Sequence, residues 1–259
     1  NACLHRGTKL RPSGSCGSAA AFQCLFHGWT WNLDGTNKEI PCPWDFPHVD
    51  REKYKLPEAR VERFAGFVWI NMDPDAPALL DYLGKEAVEH IKAWKLEDRY
   101  ISSHVVKSYP ANWKLTIEAF MEAYHVPLTH PQVCPANADL NSQYDVYSPH
   151  VDRFIAPQGV PSPFHNGKYS EQDLLDMCTM GDSSMIGEKP KVPAGGTARQ
   201  VMADMYRTMF EKATNTDLSG VSDSEIIDCF SYTIFPNTFL FPGISLPMAY
   251  RFRPNPRNL

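Results

Sequence analysis

Basic tracts are missing from this chain. Its 25 Lys and Arg are outnumbered by 30 Asp and Glu, giving a net charge of -5, so nucleic acid and anionic membrane surfaces are poor partners. Apolar runs long enough to cross a bilayer are missing too, and no segment reads as a membrane span. There is no internal repeat or low-complexity tract. The seven cysteines are odd in number and scattered, which does not describe a disulfide framework. Asp and Glu are absent from Cys229 to Leu259. No Met opens the chain: it starts at Asn1, almost inside a motif, and stops after Arg251-Phe-Arg-Pro-Asn-Pro-Arg. The expectation is a fragment lacking both ends, with room for a targeting signal upstream.

What is present is 259 residues, 43% of them apolar, enough for one large domain or two modest ones. Two short segments each offer a thiol and an imidazole: Cys3-Leu4-His5, and Cys24-Leu25-Phe26-His27 followed by Gly28-Trp29-Thr30-Trp31. Two Cys and two His bind zinc, or a two-iron cluster with the thiolates on one iron and the imidazoles on the other. A zinc finger usually groups its Cys together and its His together. Here each segment supplies one of each, which makes zinc the weaker choice. Cys16, Cys42, Cys134, Cys178 and Cys229 have no such context, and they read as reduced, packed or partly exposed thiols without an assigned role.

The second stretch runs from Asn112 to His130. On a helix, Glu118, Glu122 and His125 lie four and three residues apart and share one face. Pro127 makes a regular helix hard to continue, so the chain is expected to turn there and bring His130 back toward His125. Two imidazoles with a nearby carboxylate suit a non-haem iron that keeps one side open for oxygen and substrate. Read alone, the stretch is equally an amphipathic helix whose Glu and His residues face solvent.

Together the two stretches resemble a known family. Cys3-x-His5-Arg6-Gly7 with Cys24-x-x-His27-Gly28-Trp29 resembles the Rieske cluster motif of ring-hydroxylating oxygenases, large (alpha) subunit. Asn112-Trp113-Lys114 with Glu122-Ala123-Tyr124-His125-x-x-x-x-His130 is similar to that family's iron motif. The resemblance covers most of residues 1–130 and is weaker beyond. It implies a Rieske 2Fe-2S cluster held by Cys3, His5, Cys24 and His27, and a mononuclear Fe(II) held by His125 and His130. The family's third iron ligand is a carboxylate far downstream. Asp204 and Asp228 lack its context, so the ligand is expected beyond Leu259.

The resemblance also implies an oxidoreductase that adds molecular oxygen to an aromatic, amine or amide substrate, in the manner of aromatic hydrocarbon catabolism. Electrons would come from NAD(P)H through a reductase or ferredoxin. The assembly would be a homotrimer, or alpha3beta3 with a small subunit, in the cytoplasm. Glu122 occupies the position of a carboxylate that links the two centres across a subunit boundary. Most members have Asp there; carnitine-type oxygenases have Glu. Glu118 is placed as a partner orienting an imidazole. The rival readings are a Rieske electron carrier without oxygenase activity and a zinc-stabilised binding module.

The implied fold is α+β: an N-terminal all-β Rieske domain, residues 1–75, and a C-terminal helix-grip catalytic domain with an antiparallel sheet, residues 76–259. Locally, Phe22 to Trp31 reads as strand, loop, strand, and Asn32-Leu33-Asp34-Gly35 as a hairpin turn. Phe64 to Asn71 reads as a buried strand, Leu79 to Trp94 as a helix, and Ile101 to Tyr109 as a strand. From Pro131 to about Val192, Pro, Gly, Ser and Asn suggest a pocket wall and lid, with His150 and His165 at the surface. Thr197 to Thr214 reads as a helix with a Met-rich stripe. Cys229 to Phe241 and Pro247 to Phe252 read as strands.

Overall fold

A computed structural model describes residues 1–132, 134–137, 139–165, 167–179 and 189–255, with the side chains of Cys134 and Asp139 outside that description. The chain forms two compact units: Asn1–Arg63 with Val68–Ala76, and Phe64–Phe67 with Pro77–Leu259.

The first unit contains strands β1 (Phe22–Gln23), β2 (Thr30–Trp31) and β3 (Asn37–Glu39) in an antiparallel sheet of that order. The β2–β3 turn forms as its residues predict. Gly35 takes φ 81° and its N–H bonds the carbonyl of Asn32, while Asp34 accepts the Thr36 amide. Trp29, Trp31, Ile40, Leu10, Cys3 and Cys24 make the core beneath.

Strands β4 (Arg60–Phe64) and β5 (Phe67–Asn71) form a two-stranded hairpin whose tip counts with the second unit. The single buried strand expected over 64–71 is therefore corrected. Ala65 and Gly66 both take positive φ and reverse the chain, and Val68 and Ile70 are exposed.

In the second unit the expected helix over 79–94 is two helices, α1 (Leu79–Leu83) and α2 (Lys85–Ala93). Gly84, at φ 86° and ψ 145°, separates them. The helix expected from Asn112 up to a turn at Pro127 stops earlier, as α3 (Trp113–Glu118), and Pro127 lies within a second short helix, α4 (Val126–Thr129). A continuous helix would drive the Pro127 ring against the carbonyl of Ala123 and leave that carbonyl without a donor. Pro127 instead lies in the first turn of α4, where a missing N–H costs nothing. Glu118, Glu122 and His125 thus do not line one helical face.

The stretch expected to be pocket wall and lid holds regular structure: strands β6 (Gln143–Ser148) and β7 (Val151–Ala156) and helix α5 (Glu171–Cys178). Residues 180–188 of that stretch lie outside the described residues. Helices α6 (Ala198–Thr214) and α7 (Asp223–Ile227) follow, capped by Thr197 and by a Ser222–Glu225 capping box. Strands β8 (Cys229–Ile234), β9 (Thr238–Phe241) and β10 (Met248–Arg251) complete an antiparallel sheet in the order β10-β9-β8-β7-β6. Leu174, Leu175, Met202, Ala203, Ile226 and Ile227 bury the seam between α5, α6 and α7.

The strand expected at Ile101 to Tyr109 is absent. The segment has alternating apolar residues but no pairing strand, and Ile101, Val105 and Val106 are exposed. His150 is half-buried, stacked on Tyr82 with ring centroids 3.9 Å apart, rather than free at the surface.

Strand alternation gives the large sheet two faces. Phe154, Ala156, Phe239 and Phe241 pack against the α3–α4 region through Ile117, Ala123 and Val126. Arg153 and Tyr232 face α2, where Arg153 bonds His90 and the Trp94 indole donates to Tyr232. Residues 112–130, which carry the second motif, are thereby fixed to one sheet face.

Candidate redox and metal centres

The two Cys/His segments close by the same backbone scheme. The Cys3 amide donates to Thr8 O and the Gly7 amide to Cys3 O, both at 2.8 Å. The Cys24 amide donates to Trp29 O at 2.8 Å and the Gly28 amide to Cys24 O at 3.0 Å. Gly7 and Gly28 take φ 75° and 74°, a backbone region that glycine enters without strain. Each loop therefore tucks its cysteine inward, at 2% and 3% exposure, and carries its histidine toward the tip.

The loops converge. The Cys3 and Cys24 thiols lie close enough for each to shift the other's proton affinity. The His5 and His27 ring centroids lie 4.7 Å apart, and His5 stacks on Trp29 at 4.8 Å with planes 6° apart. Burial pushes the Cys24 thiol up, but the amides of Phe26 and His27 with Cys3 and Thr8 outweigh it and hold it below the ordinary cysteine value. Burial, with Cys24 alongside, holds Cys3 above that value. Burial, then His27 and Arg6, lowers His5, which favours the neutral imidazole that ligates metal. His5 Nδ1 is buried without a hydrogen-bond partner, an expensive orphan that a ligated metal would satisfy. Thiols sit beside thiols and rings beside rings. Among the described residues no three His, Cys, Asp or Glu groups gather where one metal ion could sit. Paired thiol with thiol and ring with ring, the donor set fits a two-iron cluster with thiolates on one iron and imidazoles on the other.

The second motif is built on α3, whose first turn is capped by Asn112 accepting from the Lys114 amide at 2.9 Å. The helix ends at Glu118 and residues 119–125 form a turn. There the Glu122 carboxylate folds back: Oε2 accepts the His125 amide at 3.1 Å, and Oε1 contacts His125 Nδ1. One turn of helix later, the His130 amide bonds Val126 O at 2.9 Å. The His125 and His130 rings lie 5.3 Å apart at 73°. Glu118 is exposed and makes no hydrogen bond to either ring among the described residues, so the expected orienting role is not visible for it.

Asp228 is not a free ligand. It is 4% exposed and accepts from Arg199, Ser224 Oγ and the Gln158 amide. Asp204 lies on α6, bonded to Gln200 and paired with Arg207. Sequence reasoning missed Tyr144, whose hydroxyl accepts the Ala123 amide at 3.2 Å. Its position in a polar, unpatterned stretch carried no signal.

Two thiols and two imidazoles on paired glycine-closed loops, followed by two neighbouring imidazoles, one of them held by Glu122, are the features compared with known families. The ring hydroxylating alpha subunit (catalytic domain) profile matches residues 85–258, and the Rieske [2Fe-2S] domain profile matches residues 1–50. The chain belongs to the family of ring hydroxylating alpha subunits.

The carnitine monooxygenase oxygenase subunit of Escherichia coli (strain K12) is 28% identical over 176 residues, covering 64% of this chain and 47% of that protein. The large oxygenase component of the naphthalene 1,2-dioxygenase system of Pseudomonas putida is 37% identical over 145 residues, covering 50% of this chain and 30% of that protein. A solved quaternary ammonium Rieske monooxygenase matches with a TM-score of 0.52 and 28% identity over 62% of this chain and 44% of that one. This chain thus spans about half the length, or less, of the curated relatives it matches. No helix among the described residues is long and apolar enough to cross a membrane.

Proposed function

We propose that the chain is the Rieske and iron-binding part of a terminal oxygenase component that oxidises a small organic substrate with molecular oxygen. Cys3, His5, Cys24 and His27 hold the cluster; His125 and His130 hold the mononuclear iron. Bound there, these groups supply one-electron transfer and oxygen activation, with electrons drawn from NAD(P)H through a reductase or ferredoxin. The observation that carries the reading is the presence of both donor sets on one chain. A Rieske electron carrier would have no use for the second set.

The chain's own residues have definite tasks. Glu122 fixes the ring of His125 by contacting Nδ1, which leaves Nε2 as the ligating atom. Phe154, Ala156, Cys229, Phe239 and Phe241 exclude water beneath the turn that carries His125. The lowering of Cys24 and His5 shifts both toward the forms that bind metal, while Cys3, held up by burial, gives up its proton on binding. The assembly in this reading is a homotrimer, or alpha3beta3 with a small subunit, in which Glu122 of one subunit approaches His27 of the next.

Substrate class is tested with the iron-loaded protein, reductase, reduced nicotinamide and oxygen. The compound panel spans carnitine, aromatic hydrocarbons, amines and amides. Oxygenated or dealkylated product that disappears in His125→Ala supports the reading. Cluster reduction and reoxidation with no product from any compound, and no difference in His125→Ala, supports an electron carrier instead.

A further inference from the structure

Ala123 lies between the two residues that matter most in the second motif, one after Glu122 and two before His125. It is 3% exposed. Its amide has left α3, which ends at Glu118, so no helical carbonyl receives it. A buried N–H without an acceptor is costly. The acceptor here comes from the sheet: the Tyr144 hydroxyl, at 3.2 Å. On the other side of the same residue, Ala123 O accepts the Val126 amide at 3.0 Å and starts α4. Ala123 is therefore held at both ends, by β6 through its N–H and by α4 through its carbonyl.

The hydroxyl is itself held in place. Tyr144 pairs across the sheet with Phe154, and their ring centroids lie 5.2 Å apart. Phe154 packs in one cluster with Ala123 and Val126. The result is a partly exposed tyrosine on the edge strand of the large sheet, with its ring on Phe154 and its hydroxyl on the turn that carries Glu122 and His125. Backbone bonds of helical type reach Ala119, Phe120 and Met121, through the carbonyls of Leu115, Ile117 and Glu118, and the next segment rests on the Tyr144 contact with Ala123 and on the Glu122 carboxylate with the His125 amide.

We propose that Tyr144 is a positioning residue for the mononuclear iron: its hydroxyl sets the turn that aims His125 and its carboxylate partner Glu122. The proposal rests on the assignment of His125 and His130 as iron ligands. It makes Tyr144 act through the backbone of Ala123, not by touching metal or substrate.

Tyr144→Phe keeps the ring on Phe154 and removes only the acceptor. The test is anaerobic titration of the cluster-loaded full chain with Fe(II), followed by equilibrium metal analysis, beside its melting temperature and cluster absorbance. The expected result is a dissociation constant for the mononuclear iron raised about tenfold, in the range seen when groups supporting a metal ligand are lost. Cluster absorbance stays unchanged. A merely structural tyrosine would lower the melting temperature and leave the Fe(II) constant at the wild-type value, and that outcome overturns the proposal. His125→Ala separates the two layers. If it binds Fe(II) like wild type, the ligand assignment itself fails. If it loses binding while Tyr144→Phe keeps wild-type affinity, only the positioning role fails.

Discussion

Arg199 donates both guanidinium nitrogens to the two oxygens of Asp228, at 2.6 and 2.9 Å, and joins the start of α6 to the start of β8. Ser224 and the Gln158 amide occupy the remaining acceptor sites of Asp228. Removing one partner of a buried ion pair leaves the other uncompensated, at a cost of about 3–5 kcal/mol. Asp228→Asn or Arg199→Met is expected to lower the melting temperature by roughly 6 °C or more. The double replacement Arg199→Met with Asp228→Leu regains part of the loss, because no charge is stranded. Single variants that melt with the wild type would show that the pair contributes nothing.

Asp145 gives stability a pH dependence. Burial works to raise its carboxyl, but the Gln143 amide and the Arg153 guanidinium outweigh it and hold the carboxyl below the usual range. A lowered folded value means the stabilisation is present above the unfolded value of about 3.9 and is lost as pH falls through the folded value. The stability difference between wild type and Asp145→Asn should therefore be widest above about pH 4 and shrink below it. Denaturant melts from pH 3 to 7 measure this, and a constant difference across that range would contradict it.

The thiols divide by burial. Cys229 is pushed up to about 12 and Cys178 to about 11 by burial, so both are protonated at pH 8 and poor nucleophiles. Cys16 and Cys42 are exposed. Brief alkylation of the native protein at pH 8, read by peptide mass spectrometry, should mark Cys16 and Cys42. Cys178 and Cys229 should be modified only after unfolding. Early labelling of Cys229 would show that the sheet face under the His125 turn is open.

Glu122→Gln tests the carboxylate. Gln keeps the length and a hydrogen-bonding oxygen but not the charge. Cluster absorbance and iron content should persist, while single-turnover reoxidation of the reduced cluster slows about tenfold or more, as for other lost partners of metal ligands. Reoxidation at the wild-type rate would remove Glu122 from the path between centres.

The parts of this protein that were legible in its sequence are those decided within a few residues. The cluster loops need only a cysteine, a histidine and a glycine able to take positive φ at Gly7 and Gly28. The Asp34-Gly35 turn and helix α6, with its Thr197 cap, are equally local. What escaped reading depends on distant partners. Gln143–Ser148 looks like loop because its polar residues are ordered by pairing with Val151–Ala156. Ile101 to Tyr109 looks like strand but finds no strand to pair with. The break after Glu118 escaped for a different reason. The i, i+4 and i+3 spacing of Glu118, Glu122 and His125 fits a helix, yet the Ala123 amide takes the Tyr144 hydroxyl, a partner distant in sequence, as its acceptor. The approach of His130 to His125 was thus legible, at 5.3 Å between ring centroids, while the turn from Ala119 that presents His125 was not.

The most direct test of the two-centre account is the count of iron and acid-labile sulfide in the reconstituted protein. Wild type is expected to hold about three irons and about two sulfides per chain. The double variant His125→Ala, His130→Ala should lose about one iron and keep its sulfide and visible absorbance. A double variant that retains all its iron, or a wild type that holds zinc without sulfide, would contradict it.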